Sequence, residues 1–285
     1  MTYLNQVPLF NSIDEFSVWR NNLSGTVGFV PTLGGIHDGH LSLIKSSILS
    51  CDYTIVSIFL NPLQFNKNED LDTYPANLNE DLSKMNSLNV SAVFAPNQSN
   101  FISKNSSVFV NETILSNCIE GQKRPDFFSG VLTIVSKLFN VVKPTHSFFG
   151  KKDPQQLLII KKLCENLNYN IKIVACDTVR EKNGLAMSSR NRYLTKYEKE
   201  DAAVIFLALT KAKLLLQKNT QLNIVKQEMK KILLSKPNIK IDYISFSNTL
   251  NLKEVHSFKN NQILISIAVF CGKTRLIDSF FFPDF

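Results

Sequence analysis

Short apolar runs bounded by polar turns recur through the first two-thirds of the chain: Thr26 to Val30, Tyr53 to Leu60, Ala92 to Ala95 and Ile171 to Cys176. Their length and bounds predict strands. Between them, apolar residues return at helical spacing over Leu41 to Leu49, Leu78 to Leu88, Gly130 to Val142 and Pro154 to Asn166. Alternating strand and helix predicts a parallel sheet with helices on its faces. Such sheets bind ligands beyond the carboxyl ends of their strands, so the loops there are where chemistry is sought. The pattern changes near Val179. A polar loop, Arg180 to Asn191, leads into helical stretches Lys196 to Gln217 and Ile224 to Leu234, then into two apolar runs, Ile241 to Phe246 and Gln262 to Phe270. These read as a small mixed α/β domain closed by a pair of strands.

Composition narrows the class. The chain has 285 residues, 44% hydrophobic and 20% charged, enough for a large domain plus a small one and typical of a globular enzyme. Its five cysteines, Cys51, Cys118, Cys164, Cys176 and Cys271, are scattered with no CxxC pair, as expected of small hydrophobes in a reducing compartment. The first residues lack a signal-peptide pattern, and no stretch approaches the roughly 18 apolar residues of a membrane span. A soluble cytoplasmic protein is expected, without a membrane partner. The net charge of +8 could attract nucleic acid or a polyanionic small substrate. The lysines, however, are spread singly or in pairs such as Lys161-Lys162, which favours a solvated surface plus an anion pocket over a nucleic-acid footprint.

The segment from Gly28 to His40 reads as strand, glycine-containing loop and helix start, the helix beginning near Leu41. His37 and His40 flank Gly39, so both imidazoles can face one ligand at a positive helix end, an arrangement suited to phosphate oxygens. A Walker A loop is excluded for want of Gly-Lys-Ser/Thr, and a zinc site lacks a third ligand at a usual spacing.

His37-Asp38-Gly39-His40 resembles the HxGH signature of the nucleotidylyltransferase superfamily, and Phe29 to Leu43 resembles the pantothenate synthetase family within it. Further segments carry the same resemblance. Asn61-Pro62-Leu63-Gln64 ends the second predicted strand with two amides, and an amide such as Gln64 suits a neutral polar substrate. Gly150-Lys151-Lys152-Asp153-Pro154-Gln155-Gln156 opens a helix, with Asp153 as a cap and Lys152 able to neutralise transferring phosphates. It is similar to GEKDxQQ, departing at Lys151, where the family has Glu, and at Pro154, where it has an aromatic residue. Gly184 to Asn191 contains Met187-Ser188-Ser189-Arg190, a donor cluster at a hinge position that matches the MSSRN segment. Arg124 to Gly130 resembles RPGHFxG, with Asp126 in place of glycine and Phe127 in place of histidine. The helix after it reads as core. Gly272 to Asp278 matches as well, and the likeness is weakest between Lys196 and Lys240.

The resemblance implies an α/β fold in which a Rossmann-like parallel-sheet domain, residues 1–178, binds ATP and pantoate, and a smaller mixed α/β C-terminal lid domain spans 179–285. It implies catalytic duty for His37, His40 and Lys152. ATP contacts are expected in the first loop at Leu33, Gly34, Gly35, His37, Gly39 and His40. Mid-chain they are expected at Gly150, Lys152 and Asp153, and at the hinge at Val179, Met187, Ser188, Ser189 and Arg190. Asn61, Gln64 and Gln156 would bind the organic substrates, pantoate and β-alanine, and Asp81 would hold Mg²⁺. A homodimer is also implied. The reaction implied is ATP-dependent ligation through an acyl adenylate. Two other readings compete: a nucleotidylyltransferase that stops at the nucleotidyl product, and a basic nucleic-acid-binding module without turnover.

Overall fold

The computed structural model describes residues 7–66, 69–258 and 261–284. Six strands form one parallel sheet: β1 (Leu9–Phe10), β2 (Val27–Thr32), β3 (Tyr53–Ile58), β4 (Ala92–Phe94), β5 (His146–Gly150) and β6 (Lys172–Cys176), in the order β1-β4-β3-β2-β5-β6. The chain runs outward from β2 through β3 to β4, then returns to place β5 against the other side of β2. That reversal opens a crevice beyond the carboxyl ends of β2 and β5. The loops bearing His37 and Lys152 leave from those two ends.

Helices α2 (Asp38–Ser50), α6 (Phe127–Val142) and α7 (Pro154–Asn166) cover the sheet. The α6 sequence is apolar on most of its circumference, and Val131, Leu132, Ile134, Val135, Leu138 and Phe139 are all buried. Its N-terminus lies against the turn after β3. A Cβ on Gly130 would sit 2.1 Å from the Leu63 carbonyl oxygen, so glycine permits the approach. Asp126, at the N-cap of α6, has φ 64°, which explains why an Asp can stand where the family's motif has glycine: short polar side chains tolerate the left-handed region best after glycine.

The rest of the chain builds an antiparallel sheet, β7 (Ile239–Asn248), β8 (Ile263–Cys271) and β9 (Thr274–Phe282), backed by α8 (Lys196–Ala202), α9 (Val204–Gln217) and α10 (Leu222–Leu233). The predicted pair of strands is thus a three-stranded sheet. The pattern hid β9 because Arg275 and Asp278 interrupt its apolar run, and both are charge-paired in the fold. The stretch read as one helix from Lys196 to Gln217 breaks at Ala203. The break falls where a charged segment, started by the Thr195–Glu198 capping box, gives way to the apolar one that packs on the sheet. Leu252, Leu264 and Phe281 from this second layer pack into the main core, so an apolar seam joins the two sheets.

An ionic network ties the seam. Glu120, on the short helix α5 (Ile119–Lys123), accepts two hydrogen bonds from Arg275 at 2.9 Å and one from Tyr243 Oη at 2.6 Å. Arg275 also donates to Asp242 at 2.8 Å.

Candidate active site

The loop after β2 is held through its own backbone amides. Gly34 N–H donates to Thr32 Oγ1 at 3.2 Å, Gly35 N–H to Asp81 Oδ2 at 2.8 Å and Ile36 N–H to Asp81 Oδ1 at 2.7 Å. Gly34 and Gly35 adopt φ values of 87° and 65°, a left-handed pair that a side chain would strain. The loop then enters α2, which starts at Asp38 rather than near Leu41. His37 is its N-cap: Gly39 N–H donates to His37 Nδ1 at 3.1 Å, and His37 N–H donates to His40 Nδ1 at 3.4 Å. Two imidazoles therefore form a capping box of the kind usually built by Ser and Glu.

That geometry fixes the tautomers. A ring nitrogen that accepts from an amide carries no proton, so in each neutral imidazole the proton sits on Nε2. Burial, then the Lys152 charge, push the His37 pKa down to about 4. Burial, then His37 and Lys152, hold His40 lower than usual too. Near neutral pH the pair offers two Nε2–H donors without bringing charge of its own. The rings stack with centroids 4.0 Å apart, and both line a cavity of about 990 Å³. A Cβ on Gly39 would come within 2.8 Å of His37 Cε1, so this glycine makes room for the ring.

On the other side of the switch point, β5 ends at Gly150 and α7 begins at Pro154, whose fixed φ suits the first helical position. Asp153 occupies the N-cap but makes no capping bond; its carboxylate lies 3.5 Å from the Lys152 ammonium instead. Gly150, Lys152 and Asp153 all line the cavity. Lys151 is turned to Asp177 at 2.8 Å, an ion pair that a Glu at this position could not make.

The two glutamines that open α7 differ completely. Gln155 is buried and satisfied: its amide donates to Leu115 O and Cys118 O at 2.7 and 2.8 Å and accepts from Glu120 N–H at 3.0 Å. Both line the cavity, but the Gln156 side chain makes no hydrogen bond among the described residues. Opposite it, Gln64 has its Oε1 held by Asn61 Nδ2 at 3.0 Å, which leaves the Gln64 amide protons for a ligand. Asn61 is buried, gives its other amide proton to Gly130 O at 3.1 Å and accepts from Leu63 N–H at 3.0 Å. It lines the cavity, but its donors are spent on aiming Gln64 and on joining the turn to α6.

Between the glutamines the wall is apolar, made by Val131, Ile134, Val135 and Leu138 of α6. These residues also belong to the buried core, as the helical spacing of the sequence predicts, so this wall is the edge of that core. Phe127, in place of the family's histidine, lies under the Arg124 guanidinium at 3.7 Å, and Arg124 pairs with Glu69 and donates to Gln64 O at 3.1 Å.

The hinge loop closes the remaining side. Met187 N–H donates to Val179 O at 2.9 Å, folding 179–187 back on itself and setting Met187 over Gly39. Val179, Met187, Ser188, Ser189 and Arg190 line the cavity. Ser188 Oγ accepts from Arg190 N–H at 3.3 Å and keeps its own proton. Ser189 donates to Gly35 O at 3.1 Å and accepts from Tyr74 Oη at 3.3 Å. Arg190 makes a two-pronged pair with Asp70 at 2.7 and 2.9 Å. Burial works to raise the Asp70 carboxyl, but the hydrogen bonds and charge of Arg190 outweigh it and hold its pKa below the ordinary value. Asp70, Tyr74 and Arg275 were not singled out for this site from the sequence, since their partners lie far along the chain.

Leu33 reaches the cavity wall, whereas Gly34, Gly35 and Asp81 do not. The amides of the two glycines are turned to protein acceptors rather than to a ligand. The Asp81 geometry does not suit Mg²⁺: the carboxylate is 1% exposed, sits behind the loop, and has each oxygen bonded to a backbone N–H.

The sequence model of the family described as Pantoate-beta-alanine ligase matches residues 8–281. A pantothenate synthetase of Fervidobacterium nodosum is 43% identical over 274 residues, 96% of this chain and 97% of the relative. One from Campylobacter fetus is 40% identical, over 95% and 98% of the two chains. Among solved structures, the pantothenate synthetase of Thermus thermophilus superposes with a TM-score of 0.91 at 31% identity, covering 96% of this chain and 98% of that one. The Francisella tularensis pantoate-beta-alanine ligase, complexed with beta-gamma ATP and beta-alanine, superposes with a TM-score of 0.80 at 35% identity, over 96% and 97%. A match this complete, on a fold whose HxGH imidazoles, mid-chain lysine and hinge serines meet around one cavity, places the chain in the pantoate-beta-alanine ligase family.

Proposed function

We propose that this chain condenses pantoate with β-alanine at the expense of ATP, giving pantothenate, AMP and pyrophosphate. In the first half-reaction a pantoate carboxylate oxygen attacks the α-phosphorus of ATP, the bond to the β-phosphate oxygen breaks, and pyrophosphate leaves. In the second, the β-alanine amine attacks the acyl carbon of the adenylate, a proton leaves the nitrogen, and AMP departs. Neither step requires a covalent bond to the protein, so catalysis rests on positioning and charge stabilisation.

The observation that carries the reading is the convergence of His37, His40, Lys152, Ser188 and Arg190 on one cavity whose opposite wall is apolar and flanked by Gln64 and Gln156. Its volume of about 990 Å³ takes a nucleotide and a small acid together. On this reading the two Nε2–H donors and the Lys152 ammonium bind ATP phosphates. Ser188 and Arg190 close on them from the hinge, as the lid-like second layer would, and Leu33, Gly39, Gly150, Asp153, Val179 and Met187 frame the nucleotide. The α6 wall takes the branched hydrocarbon of pantoate, and the amides of Gln64 and Gln156 take its hydroxyl and carboxylate oxygens. Mg²⁺ enters with ATP, held by phosphate and water. We further propose a cytoplasmic homodimer. No helix among the described residues is long and apolar enough to cross a membrane.

The test is to incubate the purified protein with ATP, Mg²⁺, pantoate and β-alanine, omitting each in turn. AMP should appear only with the complete set, and pyrophosphate should form without β-alanine. Pyrophosphate release with no AMP on adding the amine would instead identify a nucleotidylyltransferase.

A further inference from the structure

We propose that Asp81 and Lys84 of α3 (Leu78–Met85) are positioning residues for the reaction, which grip the loop ahead of the two histidines and so set where the imidazole Nε2–H groups point. The proposal rests on the phosphate-binding reading of His37 and His40. It assigns Asp81 a role other than the metal binding that resemblance implies.

Three observations carry it. Asp81 is buried, and its two oxygens take the successive amides of Gly35 and Ile36 at 2.8 and 2.7 Å. These amides immediately precede His37, at the end of a glycine pair whose left-handed φ values are not held by any side chain of its own. Lys84, on the next turn of the same helix, donates to the Ile36 carbonyl oxygen at 2.6 Å. One helix therefore binds both the N–H and the C=O of Ile36, which fixes the plane of each peptide flanking it. His37 follows directly, and its own N–H aims the His40 ring. A rotation of the Ile36–His37 peptide would displace both rings from the phosphates at once.

Burial is the larger effect and raises the Asp81 carboxyl above its ordinary value, against the lowering effect of the Ile36 and Gly35 amides. Those two amide donors, one to each oxygen, fix where the carboxyl group sits.

The test compares Asp81→Asn, Lys84→Met and Asn77→Ala with the wild type. Asn77 caps α3 without touching the loop, so its variant loosens the helix end and leaves the grip in place. Two quantities are read: the rate of adenylate formation as Mg²⁺ is titrated, and the ring ¹⁵N shifts of the four histidines, His37, His40, His146 and His256. We expect Asp81→Asn to lower kcat by about tenfold to 100-fold with the Mg²⁺ midpoint unmoved, as displaced supports and misplaced groups do. The His37 and His40 signals should leave the Nε2–H pattern while His146 and His256 stay put. Lys84→Met should move the same signals by less, and Asn77→Ala should move none. A raised Mg²⁺ midpoint with activity restored by excess Mg²⁺ would make Asp81 a metal ligand and overturn the proposal. Should Asp81→Asn fail to fold, Lys84→Met decides: wild-type turnover with unmoved histidine signals would also overturn it. If the wild type itself makes no adenylate, the reaction assignment fails, yet the ring signals still report whether α3 positions the histidines.

Discussion

Two loops that touch each other line the cavity, and they prepare for a ligand in opposite ways. From Gly34 to His37, four consecutive amides are bonded to protein acceptors, and both imidazoles are oriented by main-chain N–H groups. This half meets a ligand with neutral donors already in place, and little has to rearrange. The hinge loop meets it with a guanidinium that is engaged elsewhere. Arg190 is paired with Asp70, and Tyr193 reinforces the contact through Asp70 and the Thr73 carbonyl oxygen. The pair is part-buried, so turning Arg190 to a phosphate would replace one charge-assisted pair with another. The contrast teaches that one wall is preorganised, whereas the other would, on the proposed function, exchange partners and so couple ATP binding to the 69–75 segment.

The sharpest way to break this comparison is to remove a fixed donor. His40→Ala should lower pyrophosphate release by about 100-fold or more while the near-ultraviolet circular dichroism stays native, in line with the loss of a preorganised donor. If Arg190→Ala costs more than His40→Ala, the preorganised wall is not the dominant one.

Within one turn of α7 the same contrast recurs between Gln155 and Gln156. Gln155→Leu should lose about 1–3 kcal/mol of stability in urea unfolding, because it strands two carbonyls and an amide. Gln156→Leu should unfold like the wild type but raise the KM for pantoate by about tenfold, the loss of one or two substrate hydrogen bonds.

Asp70→Asn sharpens the exchange side. With its ion pair weakened, Arg190 is freed for phosphate, and the KM for ATP should fall by about threefold to tenfold, near the net worth of one hydrogen bond. A higher KM would show that Asp70 aims the guanidinium rather than competing for it.

The finest probe is pH. The folded state depresses His37 from 6.5 to about 4, so across that interval the unfolded chain binds the extra proton. Stability should therefore rise as pH climbs from about 4 to about 6.5, then level off. His37→Asn should flatten that rise in thermal unfolding measured against pH, and an unchanged slope would show that the ring is not buried neutral.

Much of the candidate site, as a set of residues that line one cavity, was legible because its parts are short segments whose chemistry is local. Glycines beside His37 and His40, a lysine at a helix entrance and a Ser-Ser-Arg cluster each announce themselves within a few residues. The partners that tie those segments together were not legible. Asp70 lies 120 residues from Arg190 and Glu120 lies 155 from Arg275, and nothing local marks either pairing. Asp126 is similar: in sequence it is a departure from glycine, and only its backbone shows that the left-handed turn is kept. Gln155 and Gln156 are chemically identical neighbours that both line the cavity, and of the two only Gln155 is tied to the backbone of the seam, because successive helical residues, about 100° apart, look in different directions.

The sequence alone determined the alternation of strands and helices, and with it a parallel sheet with a ligand crevice at its carboxyl edge, because periodicity and turn chemistry act over a few residues. It likewise determined which side chains could bind phosphate. Tertiary structure decided what each of them is free to do. Asp81 is taken up by the loop it supports and Asn61 by the glutamine it aims, while Arg190 rests on an acidic partner that also lines the cavity. A hydrogen-bonding group is available to a ligand only after its neighbours in space have taken their share, and those neighbours are set by packing.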